Sequence, residues 1–168
     1  VDVMHFGSSL YNTVSVNIVS AFIQIVSCLV IGYGFARFKF PGRGIAFALV
    51  LLTIIVPPQV ISISLYKNFA DMRIVNSNYV FYLPSLLGMG LKSGLYIFVF
   101  RQFFRGIPKD LDDAATVDGC GTFRIFWNIM VPNATAALLT VFLFSIVWQW
   151  SDFFGPAMYL EKTTIATA

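Results

Sequence analysis

Residues 112–132 read DDAATVDGCGTFRIFWNIMVP, and they lie inside a chain that is otherwise strongly apolar. The chain is 58% hydrophobic and 11% charged, yet half of its acidic residues fall close together, at Asp110, Asp112, Asp113 and Asp118. Four carboxylates at the centre of a bilayer would cost on the order of 10 kcal/mol. This segment is therefore expected to lie in water, beside the apolar parts of the chain.

The apolar blocks around this segment are long enough to cross a membrane. They carry no Asp, Glu, Lys or Arg between Asp2 and Arg37, Arg43 and Lys67, Arg73 and Lys92, or Arg124 and Asp152. A spanning helix needs about 20 mostly apolar residues. We therefore predict an all-α, polytopic transmembrane helical bundle in a single domain, residues 1–168. Its four spans lie at about 13–36, 44–66, 79–100 and 133–155, with a loop at 101–132.

The positive charges predict the orientation, because short cytoplasmic loops collect Lys and Arg. Residues 37–43 and 101–132 hold seven of them, against Lys67, Arg73 and Lys162 on the other side. The loop at 101–132 is thus expected in the cytoplasm, and both ends of the chain outside. Outward ends without a signal peptide favour a piece of a larger bundle that lacks a helix at each end. A complete four-helix protein is the alternative.

The acidic segment carries residues that typically begin and end a short helix. Pro108 suits a first helical turn, the clustered aspartates complement the positive end of the helix dipole, and Gly119 suits the stop. A rod of about eleven residues is ~16 Å long, too short to span a bilayer.

A second, amphipathic helix is predicted to follow, capped by Thr122 and closed by Pro132. Its apolar side chains recur at helical spacing, at Phe123, Phe126, Trp127 and Met130. Such a pair of helices, tied at both ends to membrane spans, could seat in a groove on a partner protein and carry its motion into the bundle. A solvated cytoplasmic loop is the alternative.

Polar and helix-breaking residues inside the spans suggest a substrate path. Pro57 and Pro58 must kink or break the second span, which is either a plain structural kink or a break beside the path. Lys92 lies ~13 Å inside the third span and faces water or a buried acceptor, or else it snorkels. Gln149 and Asp152 could border an outer mouth. Gln24, in the first span, is expected to bond to a neighbouring helix.

The segment DDAATVDGCGTFRIFWNIMVP resembles the EAA loop of permease subunits in bacterial ABC importers. Asp113-Ala114-Ala115, Gly119 and the run from Ile129 to Pro132 occupy the places of that motif, with Asp113 in place of its Glu. Four further stretches resemble the sugar-importing, maltose-type branch: YGFARFKFPGR (33–43), VPPQVISISLY (56–66), RQFFRGIPKDL (101–111) and WQWSDFFGP (148–156).

The resemblance implies a type I importer permease of the MetI-like kind, with about six spans in the whole subunit, in the bacterial cell membrane. Its partners would be a dimer of ATP-binding subunits, a second permease subunit, an extracytoplasmic solute-binding protein and the lipid bilayer, but no nucleic acid. It implies ATPase coupling through Asp113, Ala114, Ala115, Asp118 and Gly119. A sugar or oligosaccharide would be the solute. From the polar and helix-breaking residues within the spans, and not from the resemblance, we expect its path to lie near Pro57, Lys92, Gln149 and Asp152.

No pattern for catalysis is present in the chain itself. It has no GxxxxGK[ST] phosphate loop, no HExxH or CxxC pair and no serine nucleophile elbow, and His5 is its only histidine. We therefore expect a transport subunit and not an enzyme, with no cofactor or metal, and with ATP hydrolysis on a partner chain. The alternative is an ATP-independent channel or ion-coupled carrier that uses Lys92.

Overall fold

The computed structural model describes residues 6–160, which fold as helices with no strand among them. In chain order the elements are α1 (Phe6–Arg37), α2 (Arg43–Ile55), α3 (Pro58–Asp71), α4 (Tyr79–Leu86), α5 (Ser93–Gly106), α6 (Asp110–Val117), α7 (Thr122–Ile125), a π-helical turn (Phe126–Met130), α8 (Val131–Asn133), α9 (Thr135–Trp150) and α10 (Phe154–Tyr159). The predicted all-α class is confirmed. His5 and Lys162 lie outside the described residues.

The core lies where α1, α5 and α9 pack together. It is built mainly from aliphatic and aromatic side chains of these three helices, with Cys28 among them, and it continues into α6 and the π-helical turn: Ile25, Cys28, Leu29, Tyr33, Tyr96, Ile97, Phe100, Phe104, Ala115, Ile125, Phe126, Met130, Ala134, Ala137 and Val141. The acidic segment is therefore attached to the same core that holds the long helices.

Gly32 lets α1 and α5 approach each other closely. A Cβ added at Gly32 would lie 2.7 Å from the Cβ of Phe100 and 3.2 Å from the backbone nitrogen of Arg101. Small residues at helix interfaces allow this kind of backbone contact in membrane proteins. The side chain of Phe100 can then be completely buried against α1.

The segment predicted as the second span is broken, as Pro57 and Pro58 indicated. Helix α2 ends at Ile55, α3 begins at Pro58, and the two axes differ by 104°. Pro57 has an extended backbone, with φ −63° and ψ 134°. Neither proline has an N–H group, so the helical bonds that would cross this point cannot form.

The segment predicted as a span at 79–100 consists of two helices, α4 and α5, instead of one. After α4, the N–H of Gly88 donates to the carbonyl of Ser85 (3.2 Å) and the N–H of Met89 donates to that of Pro84 (2.8 Å). With Gly88 at φ +69°, these bonds form a Schellman motif, which ends a helix. Local turn chemistry here interrupts a helix that hydropathy alone would continue.

Among residues 6–160, Leu10–Arg37 is the one helical segment long and apolar enough to cross a membrane by itself. Two pairs of helices are long and apolar enough only when the two members are taken together. They are α2 with α3, and the 122–133 segment with α9; the second pair is bent by 75°. Up to three crossings are therefore supported by length and composition within this part of the chain. The four predicted spans stay a prediction.

The close contact at Gly32 can be tested against Gly34, two residues further along α1. Gly34→Ala should leave the melting temperature unchanged or raise it, because the nearest atom to its new methyl group lies 4.0 Å away and alanine favours a helix by about 1 kcal/mol over glycine. Gly32→Ala should lower the melting temperature, since overpacking costs about 1–3 kcal/mol. Thermal unfolding in detergent, followed by tryptophan fluorescence, measures both. Equal shifts in the same direction would contradict this account.

Candidate functional site

A short acidic helix, α6, lies at the predicted position. Asp110, Asp112 and Asp113 occupy its first turn and Lys109 precedes it. Carboxylates stabilise this end of a helix because its first N–H groups carry partial positive charge. The helix has eight residues and is shorter than the predicted rod, since Pro108 and Lys109 come before its first turn.

Gly119 ends α6, as the sequence indicated. Its φ is +79°, a conformation that residues with a Cβ rarely adopt. The N–H of Gly119 donates to the carbonyl of Thr116 (3.0 Å), and that of Cys120 donates to Ala115 (2.9 Å). This is a second Schellman motif, and it fixes the direction in which the chain leaves the helix.

Four of the five predicted coupling residues are exposed. Asp113, Ala114, Asp118 and Gly119 face away from the rest of the chain, whereas Ala115 is buried and belongs to the core. Ala115 therefore contributes to the seat of the helix on its own chain and not to the exposed face.

The exposed face of α6 combines acidic and apolar groups. Val117 is 87% exposed and Leu111 is 43% exposed. Ala114 lies three residues from each of them and four residues before Asp118, and Asp113 lies four residues before Val117, so these side chains are neighbours on the helix. We call these five residues the outward face of α6. An uncovered surface of small, apolar and acidic side chains is suited to docking in a groove that supplies positive charge.

The opposite side of α6 is held by Arg37, the last residue of α1. One Nη of Arg37 donates to the carbonyl of Ile107 (3.0 Å) and lies 3.7 Å from the sulfur of Met130. Its Nε lies 3.3 Å from a carboxylate oxygen of Asp112. The Arg37 side chain is only 7% exposed. Sequence reasoning used Arg37 for orientation alone and missed these contacts.

Asp112 forms a partly buried ion pair. Burial raises the pKa of its carboxyl group above the usual range, and the neighbouring charge of Asp113 acts in the same direction. The Arg37 guanidinium opposes this rise. The charge on Asp112 therefore depends on Arg37, because an unpaired carboxylate at this half-buried position would be costly.

The helix after α6 differs in part from the predicted amphipathic helix. It begins at Thr122, but Gly121 occupies the capping position and no side chain caps it. Phe126 and Met130 are buried as the spacing predicted, because the π-helical turn directs them into the core. Phe123 (77% exposed) and Trp127 (42% exposed) instead lie on the surface.

The prediction that Pro132 closes this segment is wrong. This proline lies inside α8, which continues the helical segment that begins at Thr122. The chain bends only afterwards, at Ala134, before α9 begins.

A cleft of about 500 Å³ lies between α3, the α4–α5 loop and the end of α9. Its walls include Thr53 and Ile54 at the end of α2. The carbonyl groups of these two residues receive no helical hydrogen bond, because Pro57 and Pro58 lack the N–H groups that would donate to them. In a membrane protein such carbonyls are tolerated where they face protein or a wet cavity.

Three of the four predicted path residues line this cleft. They are Lys92, Gln149 and Asp152. Pro57 does not line it, although its neighbours Val56 and Pro58 do. A carboxylate oxygen of Asp152 accepts a hydrogen bond from the N–H of Gly155 (3.2 Å), which orients this side chain at the start of α10.

Lys92 lies directly before α5 in a left-handed conformation, with φ +61°. Its Nζ lies 5.1 Å from the centroid of the Trp148 ring. A cation–π contact at an exposed site contributes about 0.5–1 kcal/mol. The lysine therefore has an aromatic partner on α9 at the edge of the cleft.

A buried hydrogen-bond network around Gln24 supports the cleft from behind. The Gln24 amide donates to the carbonyl of Leu91 (2.7 Å) and to the hydroxyl of Ser93 (2.8 Å). Its oxygen accepts from Ser145 (3.3 Å) and Gln149 (3.2 Å). The predicted bond from Gln24 to a neighbouring helix is confirmed, and the network joins α1, α5 and α9.

Within residues 6–160 no group of three or more His, Cys, Asp or Glu side chains is arranged to hold a metal ion. The arrangement of the described residues instead offers two features: an exposed acidic helix fastened to α1, and a cleft lined by apolar and a few polar side chains.

Comparison with known proteins gives one family. The sequence model described as "Binding-protein-dependent transport system inner membrane component" matches residues 28–168. The arabinooligosaccharides transport system permease protein AraQ of Bacillus subtilis is 31% identical over 166 residues, which are 96% of this chain and 57% of that protein. The sn-glycerol-3-phosphate transport system permease protein UgpE of Yersinia pestis is 28% identical over 163 residues, 97% of this chain and 56% of that protein.

The fold is also that of a solved structure. The crystal structure of a bacterial ABC transporter involved in the import of the acidic polysaccharide alginate matches with a TM-score of 0.84 at 20% identity, covering 96% of this chain and 55% of that one. This chain spans about half the length of the curated relatives it matches.

The Gln24 network makes a prediction about stability. Gln24→Leu should lower the melting temperature, because the buried polar groups of Leu91, Ser93 and Ser145 would lose a partner, at about 1–3 kcal/mol for each group left unsatisfied. Gln102→Leu is the matched control, since Gln102 is exposed on α5 and should change little. Thermal unfolding in detergent compares the two variants, and a Gln24→Leu protein as stable as the control would refute the role of the network.

Proposed function

The chain belongs to the family of binding-protein-dependent transport system inner membrane components, and we propose that it is the membrane-spanning subunit of an ATP-driven importer. A sugar or oligosaccharide, delivered by an extracytoplasmic binding protein, would pass through the bundle into the bacterial cell. The name of AraQ supports this class of solute, since that protein is a permease of an arabinooligosaccharide transport system, whereas the name of UgpE gives a polyol phosphate, sn-glycerol-3-phosphate.

The observation that carries this proposal is the outward face of α6. This face is uncovered within residues 6–160, while on the opposite face Ala115 is buried in the core and Asp112 is paired with Arg37. A helix that is held by its own chain on one side and bare on the other can transmit a push from a partner. We assign that partner as a dimer of ATP-binding subunits, with Asp113 as the principal acidic contact, Ala114 and Val117 filling the groove, and Asp118 and Gly119 at its edge.

Family members are transport subunits and not enzymes, and hydrolysis of ATP is therefore assigned to the partner chain. Ala115, named with the coupling residues in the motif, supports this contact from below by packing α6 onto the core. The importer is better supported than an ATP-independent channel or ion-coupled carrier, because the family match extends over most of the chain.

The cleft is the proposed solute path. Lys92, Gln149 and Asp152 supply polar groups among apolar walls, a combination typical of pockets for small organic ligands, and Pro57 shapes the path from the bend beside it. A second permease subunit would close the open side. The four spans at about 13–36, 44–66, 79–100 and 133–155 and the cytoplasmic position of 101–132 belong to this proposal. In this proposal the bent pairs (α2 with α3, and 122–133 with α9) and the divided pair (α4 with α5) would each cross the membrane as one unit.

The docking of α6 is tested by photo-cross-linking in the whole transporter. A benzophenone maleimide attached at Val117→Cys should capture an ATP-binding subunit, since Val117 is 87% exposed on the outward face. The same reagent at Phe153→Cys, which is 84% exposed after α9, is the matched control and should not. Cys120 is replaced by serine in both proteins, and Cys28 is buried. Equal capture from both positions, or none from Val117→Cys, would oppose the proposal.

The left-handed turn after α6 gives a second test. Gly119→Pro cannot keep its φ of +79°, because the proline ring fixes φ near −65°. Gly121→Pro is the control, since Gly121 already has φ −72°. Gly119→Pro should leave membrane insertion intact but reduce uptake at least tenfold for each ATP hydrolysed, while Gly121→Pro should stay within about twofold of the wild type, differences of roughly 1.4 and 0.4 kcal/mol. Normal uptake in Gly119→Pro would contradict the role of this turn.

A further inference from the structure

We infer that Arg37 is the positioning residue that fastens α6 to α1, so that a displacement of α6 by a partner moves α1 with it. The inference rests on the proposed function, because it needs a partner that pushes on α6. It assigns the transmission step to a single side chain outside the motif that suggested the coupling residues.

The contacts of Arg37 bracket the acidic segment. Ile107 precedes α6, Asp112 lies on it, and Met130 follows it, and the guanidinium group touches all three at 3.0, 3.3 and 3.7 Å. A guanidinium group is planar and presents five N–H donors in a fixed arrangement, whereas the three donors of a lysine ammonium group rotate at the end of a flexible stem. One rigid group thus joins the entry, the body and the exit of the segment to the end of α1.

Burial protects this ion pair from screening by salt better than a surface pair is protected. The side chains of Arg37 and Asp112 are 7% and 23% exposed. Ion pairs removed from water are screened much less by salt than surface pairs are. Arg43 offers the contrast, since it lies only six residues further on and its Nη1 donates to the nearby carbonyl of Phe38 at an exposed position.

Helix α1 connects this clamp to the cleft. It runs without a break from Phe6 to Arg37. Gln24 lies thirteen residues before Arg37, or ~20 Å along the helix, and its amide holds the carbonyl of Leu91 beside Lys92. A movement of α6 that is passed to α1 therefore reaches the wall of the cleft through the Gln24 network.

The test measures a distance between two spin labels in the whole transporter, reconstituted in lipid nanodiscs with its ATP-binding subunits. One label is attached at Val117→Cys on α6 and the other at Val30→Cys on α1, which are 87% and 50% exposed, and Cys120 is replaced by serine. Pulsed electron paramagnetic resonance gives the distance with and without ATP in the presence of a magnesium chelator. With Arg37 intact, ATP should change the mean distance by less than about 2 Å, the scale of small helix shifts.

The variants separate a clamp from general stability. Arg37→Gln should show an ATP-dependent shift larger than this limit and a broader distribution, and Asp112→Asn should shift in the same sense by a smaller amount. Arg37→Lys should be intermediate, and Arg43→Gln should match the wild type. A merely structural role would change the distance equally with and without ATP. If the Arg37→Gln transporter fails to assemble, the Asp112→Asn variant still tests the clamp.

Two results would overturn the inference: an ATP-dependent shift in the wild type as large as in Arg37→Gln, or no shift in either Arg37→Gln or Asp112→Asn. The mobility of the Val117 label distinguishes a failure of the clamp from a failure of the proposed function. Immobilisation of this label when the ATP-binding subunits are added reports docking. A label that stays mobile overturns both proposals. If the label is immobilised but the ATP-dependent shift is the same in Arg37→Gln as in the wild type, only the clamp is overturned.

Discussion

The requirement that backbone groups inside a bilayer find hydrogen-bond partners within the protein governs this structure. The interruption between α4 and α5 releases carbonyl groups that a continuous helix would have satisfied. Side chains of α1 take over: the hydroxyl of Ser27 donates to the carbonyl of Leu86 (2.7 Å), and the Gln24 amide donates to that of Leu91 (2.7 Å). The local turn at Gly88 makes the break, and α1 stabilises it because it carries these two polar groups at the matching height.

Helix α1 is therefore both scaffold and connector. Its small residue Gly32 brings α5 into backbone contact, its polar residues stabilise the loop that forms one side of the cleft, and its last residue holds the acidic segment. These roles use different faces of one helix, separated along its length. A single uninterrupted helix with tasks at its middle and its end can coordinate two sites that share no direct contact.

The sequence predicted those features that depend on neighbouring residues. The break at Pro57 follows from two missing N–H groups, and the end of α6 follows from Gly119 after a cluster of acids. The same Schellman motif at Gly88 was missed, because apolar residues surround it and the hydrophobic pattern suggested a continuing helix.

The contacts of Arg37 were missed for another reason. Its partners Ile107 and Met130 lie 70 and 93 positions away, and nothing in the local pattern identifies a partner at that distance. For Gln24, the polarity of one side chain in an apolar helix was enough to predict a bond to another helix, but not which groups would accept it.

The bend at Val56 and Pro57 separates α2 from α3, and these two helices are attached to the rest of the chain in different ways. A Cβ at Gly94 would come within 2.9 Å of the carbonyl oxygen of Val50, so α2 is locked against α5. By contrast, α3 touches the remainder of the chain through rings such as Phe69 and Tyr159, whose centroids are 5.4 Å apart. Rings can slide over one another, whereas backbones in contact cannot. Rotation about the few main-chain bonds between α2 and α3 would tilt α3 and change the width of the cleft, and it would leave the contact of α2 with α5 undisturbed.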